Sequence, residues 1–472
     1  MDLLRQPVLG AVLRWPRLRL TLQLALLGLA AVIVAHGLLG PQIAPRNLAT
    51  VLTSIHWRGL LVVALLAVGN LFCTACTMML VRDAGRRVMT PRVRWPAWLR
   101  RKWLAIVLLV AVLFVYELFD LWEFPLATAW VVLGYFALAL VVDLTFTGAS
   151  FCKHVCPIGQ FNFVASTMSP AQLQVRELSV CGGCRTSDCI KGRRTEEPPR
   201  IVRRGCELGL FLPTKVGNLD CTLCLDCVRA CPHDNIALAT RIPGVEWLSA
   251  RRRSGLGRLV HRSDIAVLAA VFTFAALLNA FVMTAPARAL ELWVLDTWNL
   301  RREAPALAML FLLGLAVLPA VLVIGTAFLA RRTNGLRSPF RQSLVPYVHA
   351  LVPLGFGVWL AHYGFHFFTG VLTVVPVAQS AAIDLFGWPI AGEPAWTWMG
   401  MRSGAVFPIQ LGFVLLGAAG SIGLVRAIST NEQPARPAGA LIPWTLLVLG
   451  LAATAIWIFV QPMDMRGVTA LG

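Results

Sequence analysis

Long apolar runs alternate with short polar segments along most of this chain. Runs near 20 apolar residues recur from about residue 20 to residue 461, and a helix of about 20 such residues crosses the hydrocarbon core of a bilayer. The pattern predicts an α-helical multi-span membrane protein with about nine transmembrane helices. The predicted spans are 20–40, 58–80, 103–121, 127–148, 264–285, 304–330, 343–368, 404–427 and 440–461.

One long polar segment, residues 149–262, interrupts this pattern and holds ten of the 12 cysteines. We therefore predict three parts. An N-terminal four-helix membrane region covers 1–148, an inserted domain covers 149–262, and a C-terminal membrane region of about five helices covers 263–472. The insert is small, and metal sites stabilise small domains that cannot bury a large apolar core.

The formal net charge of +19 raises the question of nucleic acid. The Lys and Arg residues lie in alternate loops, however, as the positive-inside rule requires. We expect the lipid bilayer to be the partner and expect no nucleic acid. The same asymmetry predicts a multi-pass protein of the bacterial inner membrane, with a cytoplasmic N-terminus and insert and a periplasmic C-terminus.

The segment CTLCLDCVRACP at 221–232 carries the strongest chemical signal. Its spacing is C-x2-C-x2-C-x3-C-P, the ligand run of a bacterial-type [4Fe–4S] site in which the fourth Cys binds the neighbouring cluster. A four-cysteine zinc ribbon is the alternative, but it expects two separated C-x2-C pairs. The predicted ligands in this run are Cys221, Cys224, Cys227 and Cys231.

A second group of cysteines precedes this run, so we predict a ferredoxin-like insert with two [4Fe–4S] clusters. Its members are Cys181, Cys184, Cys189 and Cys206. The simplest assignment places Cys181, Cys184, Cys189 and Cys231 on one cluster and Cys206, Cys221, Cys224 and Cys227 on the other. Cys189 and Cys206 can exchange roles in this assignment.

Four further cysteines fall near the predicted cytoplasmic ends of two spans that run in the same direction. They are Cys73, Cys76, Cys152 and Cys156. Two pairs at matched depth predict a third metal–sulfur centre at the membrane face, with zinc as a lesser option. Four unlinked small apolar residues are the alternative, since free Cys is often buried.

Ionisable residues inside predicted spans mark candidate functional sites. His349, His362 and His366 lie on the seventh predicted span, and Asp143 lies on the fourth. They suggest a quinone site, a proton path or a b-type haem. Haem is disfavoured because no second span offers a matching His pair, and hydrogen-bonded structural roles remain the alternative. Asp143 can pair with an Arg or relay protons.

The chain resembles membrane-bound polyferredoxins of the NapH and NosR type and, more distantly, the CcoG group. The resemblance covers roughly residues 50–240 and depends on FCKHVCP at 151–157 and CTLCLDCVRACP at 221–232. FCTACT at 72–77 departs from the family motif, as does Ser187, which replaces the third Cys of the first group. We expect no long flavin-binding segment like that of NosR-type proteins, and the five C-terminal spans are unmatched.

The resemblance implies a membrane-bound electron-transfer component rather than a stand-alone enzyme. It would relay electrons between the quinone pool, or another membrane donor, and a redox protein partner. The alternative is a membrane redox sensor, or a cofactor-assembly or metal-reducing factor of the CcoG type. Both functions need the same cysteines.

Overall fold

The computed structural model describes residues 1–195, 201–334, 339–389, 391–432 and 437–464. Within these ranges, eight helices are long and apolar enough to cross a membrane. They are Leu18–Leu39, Leu48–Val68, Pro125–Thr145, Ser263–Phe281, Glu303–Thr333, Phe340–Gly370, Ser403–Glu432 and Ala438–Phe459. The chain is thus a helical, multi-span membrane protein. The predicted span at 103–121 is a shorter apolar helix, Trp103–Leu118, and a second short one is Val374–Phe386.

The second span differs from the prediction of 58–80. Its helix runs from Leu48 to Val68 and stops where Gly69 adopts a φ of +65°, a left-handed conformation that glycine takes at little cost. Two helices follow, Leu71–Thr74 and Thr77–Val88. Cys73 and Cys76 therefore lie beyond the span, at a break between helices, because the apolar run continues past the point where the backbone turns.

The chain forms two compact units. The first contains 1–30, 64–105 and 135–265, and the second contains 31–63, 106–134 and 266–472. The polar segment 149–262 thus packs in one unit with N-terminal residues of the chain. That this segment is a separate inserted domain stays a prediction. Residues 465–472, at the predicted periplasmic end, lie outside the described residues.

In the first unit, a two-stranded sheet joins the two ends of the cysteine-rich segment. Strand Ala171–Val175 pairs antiparallel with Ile236–Thr240, so that Leu173 lies opposite Leu238. Both leucines are buried, and this apolar face fixes the register of the pair. Strand Arg193–Arg194 pairs with Ile201–Arg203. The other helices of this unit are Pro7–Arg14, Pro157–Ala165, Leu178–Gly182, Asp188–Lys191 and Asp226–Ala230.

The second unit is a helical bundle around two enclosed helices. In Ser263–Phe281 and Phe340–Gly370, 83% and 89% of the most apolar window is buried, whereas the other long helices expose most of theirs. The span Phe340–Gly370 consists of two helices, Phe340–His349 and Val352–Gly370, with a break between them. Helix Ala285–Thr297 follows the first of the two. One core cluster consists of Leu278, Val282, Met283, Leu307 and Phe311.

Candidate functional site

Four cysteines of the first unit line one pocket, whose space between protein atoms, with the open solvent at its mouth included, is about 420 Å³. They are Cys181, Cys184, Cys189 and Cys231. Cys181 lies on helix Leu178–Gly182 and Cys189 on helix Asp188–Lys191, while Cys231 follows the last residue of helix Asp226–Ala230. The strand pair brings these helices together although they are distant in sequence.

Hydrogen bonds give the thiols of this pocket different acidities. The Ser187 backbone amide, and then the Thr186 hydroxyl, lower the pKa of Cys184 to about 7. Burial, and then the neighbouring Cys231, raise the pKa of Cys189 to about 11. Ser187, in the place of the third Cys, lines the pocket and has a φ of +54°. That left-handed turn lets Cys189 reach the pocket two residues later.

The other four cysteines of the polar segment line a second pocket of about 330 Å³. They are Cys206, Cys221, Cys224 and Cys227. Leu223 and Leu225, which separate three of them, have φ values of +50° and +61°. Such residues cost about 1–2 kcal/mol each. Each leucine is 2% exposed, and burying a leucine stabilises by about 1.5–3 kcal/mol, which offsets the strain.

The two pockets thus group the eight cysteines as the crossed assignment does. Cys189 lines the first pocket and Cys206 the second. In the second pocket, burial raises the pKa of Cys224 and Cys227 well above the usual value. A bound cation would favour the thiolates there, because a metal compensates the charge that burial disfavours.

The donor sets fit [4Fe–4S] clusters. Each pocket has four thiols on its wall, and each thiolate of such a cluster binds a different iron. Within the described residues, no three His, Cys, Asp or Glu side chains converge closely enough to hold one metal ion. Asn235 Nδ2 donates to Cys181 Sγ at 3.3 Å, and the Leu210 amide donates to Cys206 Sγ at 3.4 Å.

The four membrane-face cysteines also lie near one another in the first unit. Burial, and then Cys76 among other neighbours, raise the pKa of Cys73. Burial raises the pKa of Cys156 to about 12, and Cys76 adds to this effect. Burial, then Cys156 and Cys76, raise that of Cys152. Cys76 thus acts electrostatically on the other three thiols, and Cys156 acts on Cys73 and Cys152.

Polar groups contact two of these thiols. The Tyr135 hydroxyl lies 2.8 Å from Cys156 Sγ, and the Gly159 amide donates to the same sulfur at 3.0 Å. Asn162 Nδ2 donates to Cys73 Sγ at 3.5 Å. Such donors stabilise a thiolate over a thiol. The sequence does not mark Tyr135 and Asn162 as special, since each looks like an ordinary residue of an apolar helix.

A buried charge network, also missed, connects segments that are distant in sequence. Arg82 is 1% exposed and donates to both oxygens of Glu207 at 2.9 and 3.0 Å. Arg19 Nη1 donates to Asp226 Oδ2 at 2.6 Å. Burial raises the pKa of Cys76, and Arg82 and Arg19 partly oppose this. In the sequence these arginines resemble the other positive residues near the ends of apolar runs.

One buried ion pair and one buried carboxylate hold the segment that precedes Cys221. Lys102 Nζ donates to Asp220 Oδ1 at 2.6 Å. Glu246 accepts hydrogen bonds from the amides of Asn218 and Leu219 at 2.8 and 3.2 Å. These carboxylates fix the backbone from which the thiols of the second pocket project.

Asp143 has several partners in the first unit. Its Oδ1 accepts from the Phe151 amide at 2.9 Å, and Arg82 Nη1 lies 3.9 Å from its Oδ2. Arg86 donates to its backbone carbonyl. These contacts fit the alternative of pairing with an Arg.

The predicted histidines lie in the second unit. His362 and His366 have ring centroids 5.1 Å apart, and each has a buried Nε2 without a hydrogen-bond partner among the described residues. His349 ends the preceding helix, before the break. Arg58 places its guanidinium 3.8 Å from the ring centroid of Tyr116 and 5.3 Å from that of Tyr363, the neighbour of His362.

Comparisons with known proteins give limited information. No family model matches the chain, and no solved structure matches it significantly. An uncharacterized protein of Methanocaldococcus jannaschii is 27% identical over 100 residues, which are 21% of this chain. The chain covers 34% of that relative's length. The function therefore has to be argued from the site.

Proposed function

We propose that this chain is a membrane-bound iron–sulfur electron-transfer protein. It would relay electrons between the quinone pool, or another membrane donor, and a redox protein partner through two [4Fe–4S] clusters. The observation that carries the proposal is the grouping of eight cysteines around two pockets of one compact unit. A [4Fe–4S] cluster, when bound, supplies one-electron transfer over a wide range of potentials.

The protein's own residues would hold each cluster and set its potential. Hydrogen bonds to the sulfurs and nearby positive charge both favour the reduced state. Asn235 and the Leu210 amide supply such bonds in the two pockets. Arg19 opposes the effect of burial on the pKa of Cys224, so it is a candidate for tuning the second cluster.

A third metal–sulfur centre at Cys73, Cys76, Cys152 and Cys156 is part of the proposal. Its support is the mutual electrostatic effect of these thiols and the donors Tyr135 and Asn162. The orientation of the charged loops supports placement in a bacterial inner membrane with this unit at the cytoplasmic face.

The second unit offers a candidate quinone site. A quinol loses two protons with its two electrons, so its site needs groups that accept protons or hydrogen bonds. The unpartnered Nε2 atoms of His362 and His366 are such groups, and Arg58 adds a positive charge within a span. Haem b remains disfavoured, because two histidines on one helix face cannot bind opposite sides of one iron.

The first experiment is to measure iron and acid-labile sulfide per chain in anaerobically purified full-length protein. About 12 iron atoms would indicate three cubes and about 8 would indicate two. Replacing Cys73 and Cys76 by Ala should then reduce about 12 to about 8. Bound zinc with negligible sulfide would refute the electron-transfer function.

Reoxidation of the reduced protein separates a current carrier from a sensor or assembly factor. A carrier should be reoxidised rapidly by a water-soluble quinone, and replacing His362 and His366 by Leu should slow this. The same variant should react unchanged with a small hydrophilic oxidant such as ferricyanide. Equal slowing with both oxidants would show that the histidines do not serve the quinone.

A further inference from the structure

The first unit contains a third pocket, which the proposed clusters do not use. It contains about 700 Å³ of space between protein atoms and the open solvent at its mouth. Side chains that matter for its chemistry are Arg94, Trp95, Arg100, Lys153 and His154. The rest of the wall comes from residues 147–150 and 207–209.

The pocket is positively charged. Arg94 and Arg100 are exposed, and neither has a carboxylate partner among the residues that the structure describes. Lys153 Nζ donates to the Leu208 carbonyl at 2.9 Å, and this hydrogen bond holds the positively charged ammonium group at the pocket wall. Glu207 also lines the pocket, but Arg82 already binds both oxygens of its carboxylate. An anion entering the pocket would therefore meet uncompensated positive charge.

The aromatic wall of the pocket is preformed. The ring of His154 stacks on Trp95 with centroids 5.1 Å apart and planes 7° apart. Trp95 is itself held by a hydrogen bond of 3.0 Å from its Nε1 to the Leu99 carbonyl. His154 is 8% exposed, and its Nδ1 is buried without a hydrogen-bond partner among the described residues. This Nδ1 is closed off from solvent, so His154 contributes to the pocket as an aromatic wall and not as a hydrogen-bond donor.

The position of the pocket in the chain suggests the source of the anion. Its residues 147–150 directly follow the apolar helix Pro125–Thr145, and Arg100 shortly precedes the apolar helix Trp103–Leu118. Residues next to the polar ends of two apolar helices thus line the pocket. Lipid headgroups lie at this level, and basic pockets between helix ends bind anionic headgroups.

We propose that this pocket binds a phosphate group, supplied by an anionic phospholipid such as phosphatidylglycerol. Arg94 and Arg100 bind the phosphate oxygens, since arginine forks match phosphate geometry. Lys153 adds charge, and the stacked rings of His154 and Trp95 form the wall beside the phosphate. The proposal does not depend on the electron-transfer function.

The test uses the full-length protein in neutral detergent and native mass spectrometry with short-chain lipids. The probes are phosphatidylglycerol, zwitterionic phosphatidylcholine of the same chain length, and inorganic phosphate as a competitor. The variant is the double change Arg94→Gln/Arg100→Gln. Its matched control is Arg92→Gln/Arg101→Gln, which removes the same charge from exposed residues of the same segment that do not line the pocket.

We expect phosphatidylglycerol to bind the wild-type protein and phosphatidylcholine to bind much more weakly. Each arginine contributes about fivefold in affinity, so the pocket variant should bind about 25-fold more weakly. The control variant should change by less. His154→Phe keeps an aromatic ring against Trp95 and leaves both arginines in place, so it should bind phosphatidylglycerol about as tightly as the wild-type protein.

Competition identifies the source of the phosphate. If millimolar inorganic phosphate displaces the lipid, the pocket recognises the phosphate group itself, and soluble phosphate compounds become candidate ligands. If it does not, the lipid is the ligand. Equal weakening in both double variants would overturn the proposal, because binding would then reflect overall surface charge. Failure of phosphatidylglycerol to bind the wild-type protein would also overturn it.

Discussion

Replacing Glu246 by Gln should loosen the second cysteine pocket selectively. The Glu246 carboxylate is buried and forms ion pairs with Arg241 and Arg253, the latter at 3.3 Å. It also accepts the amide hydrogen bonds of Asn218 and Leu219. These amides lie just before Cys221, so this one carboxylate fixes the start of the cysteine run.

The magnitude follows from burial. Residues Glu246 and Arg253 are each 3% exposed, so glutamine would leave positive charge uncompensated in the interior. Removing one partner of a buried ion pair costs about 3–5 kcal/mol. That lowers the local folding equilibrium constant by about two to three and a half orders of magnitude. Glutamine keeps the shape and one acceptor oxygen, so the loss reflects charge rather than packing.

The assay is the urea concentration at which anaerobic full-length protein releases half of its iron, combined with limited proteolysis. The matched control is Glu177→Gln, the same change at an exposed residue of the same polar segment, where surface changes stay within about 0.5 kcal/mol. Glu246→Gln should release iron, and become protease-sensitive near Cys221, at a lower urea concentration. If the two variants behave alike, Glu246 does not anchor this segment.

The same carboxylate predicts a pH dependence. Burial would raise its pKa, but Arg241 and Arg253 hold the pKa of Glu246 below the usual value of 4.5. A group with a depressed folded pKa stabilises above its unfolded pKa and loses that contribution as the pH falls through the folded value. The protease resistance of the wild-type protein should therefore exceed that of Glu246→Gln at neutral pH. The difference should shrink below about pH 4.5.

Three further predictions concern the cysteines and their neighbours. Cys189→Ser and Cys206→Ser should each remove a different cluster signal in electron paramagnetic resonance, and the double variant should remove both signals. If the two single variants lose the same signal, the two cysteines do not serve separate pockets. Tyr135→Phe removes the hydroxyl 2.8 Å from Cys156 Sγ. It should lower the reduction potential of the third centre by tens of millivolts, because one hydrogen bond contributes about 1 kcal/mol. An unchanged redox titration would contradict this. Lys102→Met leaves Asp220 buried without its ion-pair partner and should cost about 3–5 kcal/mol. The urea assay would detect it as early loss of the second cluster, whereas Lys102→Arg should retain most of the stability.

Local signals in the sequence were sufficient for the class of the protein, and they predicted its cysteine sets. Apolar runs of span length leave few alternatives to membrane helices, because the length of a helix that crosses a bilayer is set by its thickness. The C-x2-C-x2-C-x3-C-P spacing indicated which cysteines act together, and the structure places the same two groups of four around separate pockets. What the pockets bind stays a prediction.

The boundaries of the second span were wrong for a local reason. The apolar run continues past Gly69, and hydrophobicity alone does not show that Gly69 adopts a left-handed conformation there. The structure consequently places Cys73 and Cys76 after the helix instead of within it, near its end. The break within Phe340–Gly370, before which His349 lies, was missed in the same way.

By itself, the sequence determined that the chain is a multi-span helical protein and which residues carry the candidate redox chemistry, since both depend on composition and short-range spacing. Only the tertiary structure decided which distant polar residues meet. Arg82 binds Glu207, Lys102 binds Asp220, and Arg94 shares a pocket with His154. A Lys or Arg at a helix end follows the positive-inside rule whether or not it has a partner. Its role becomes visible only when folding buries it beside a specific carboxylate or leaves it facing a pocket.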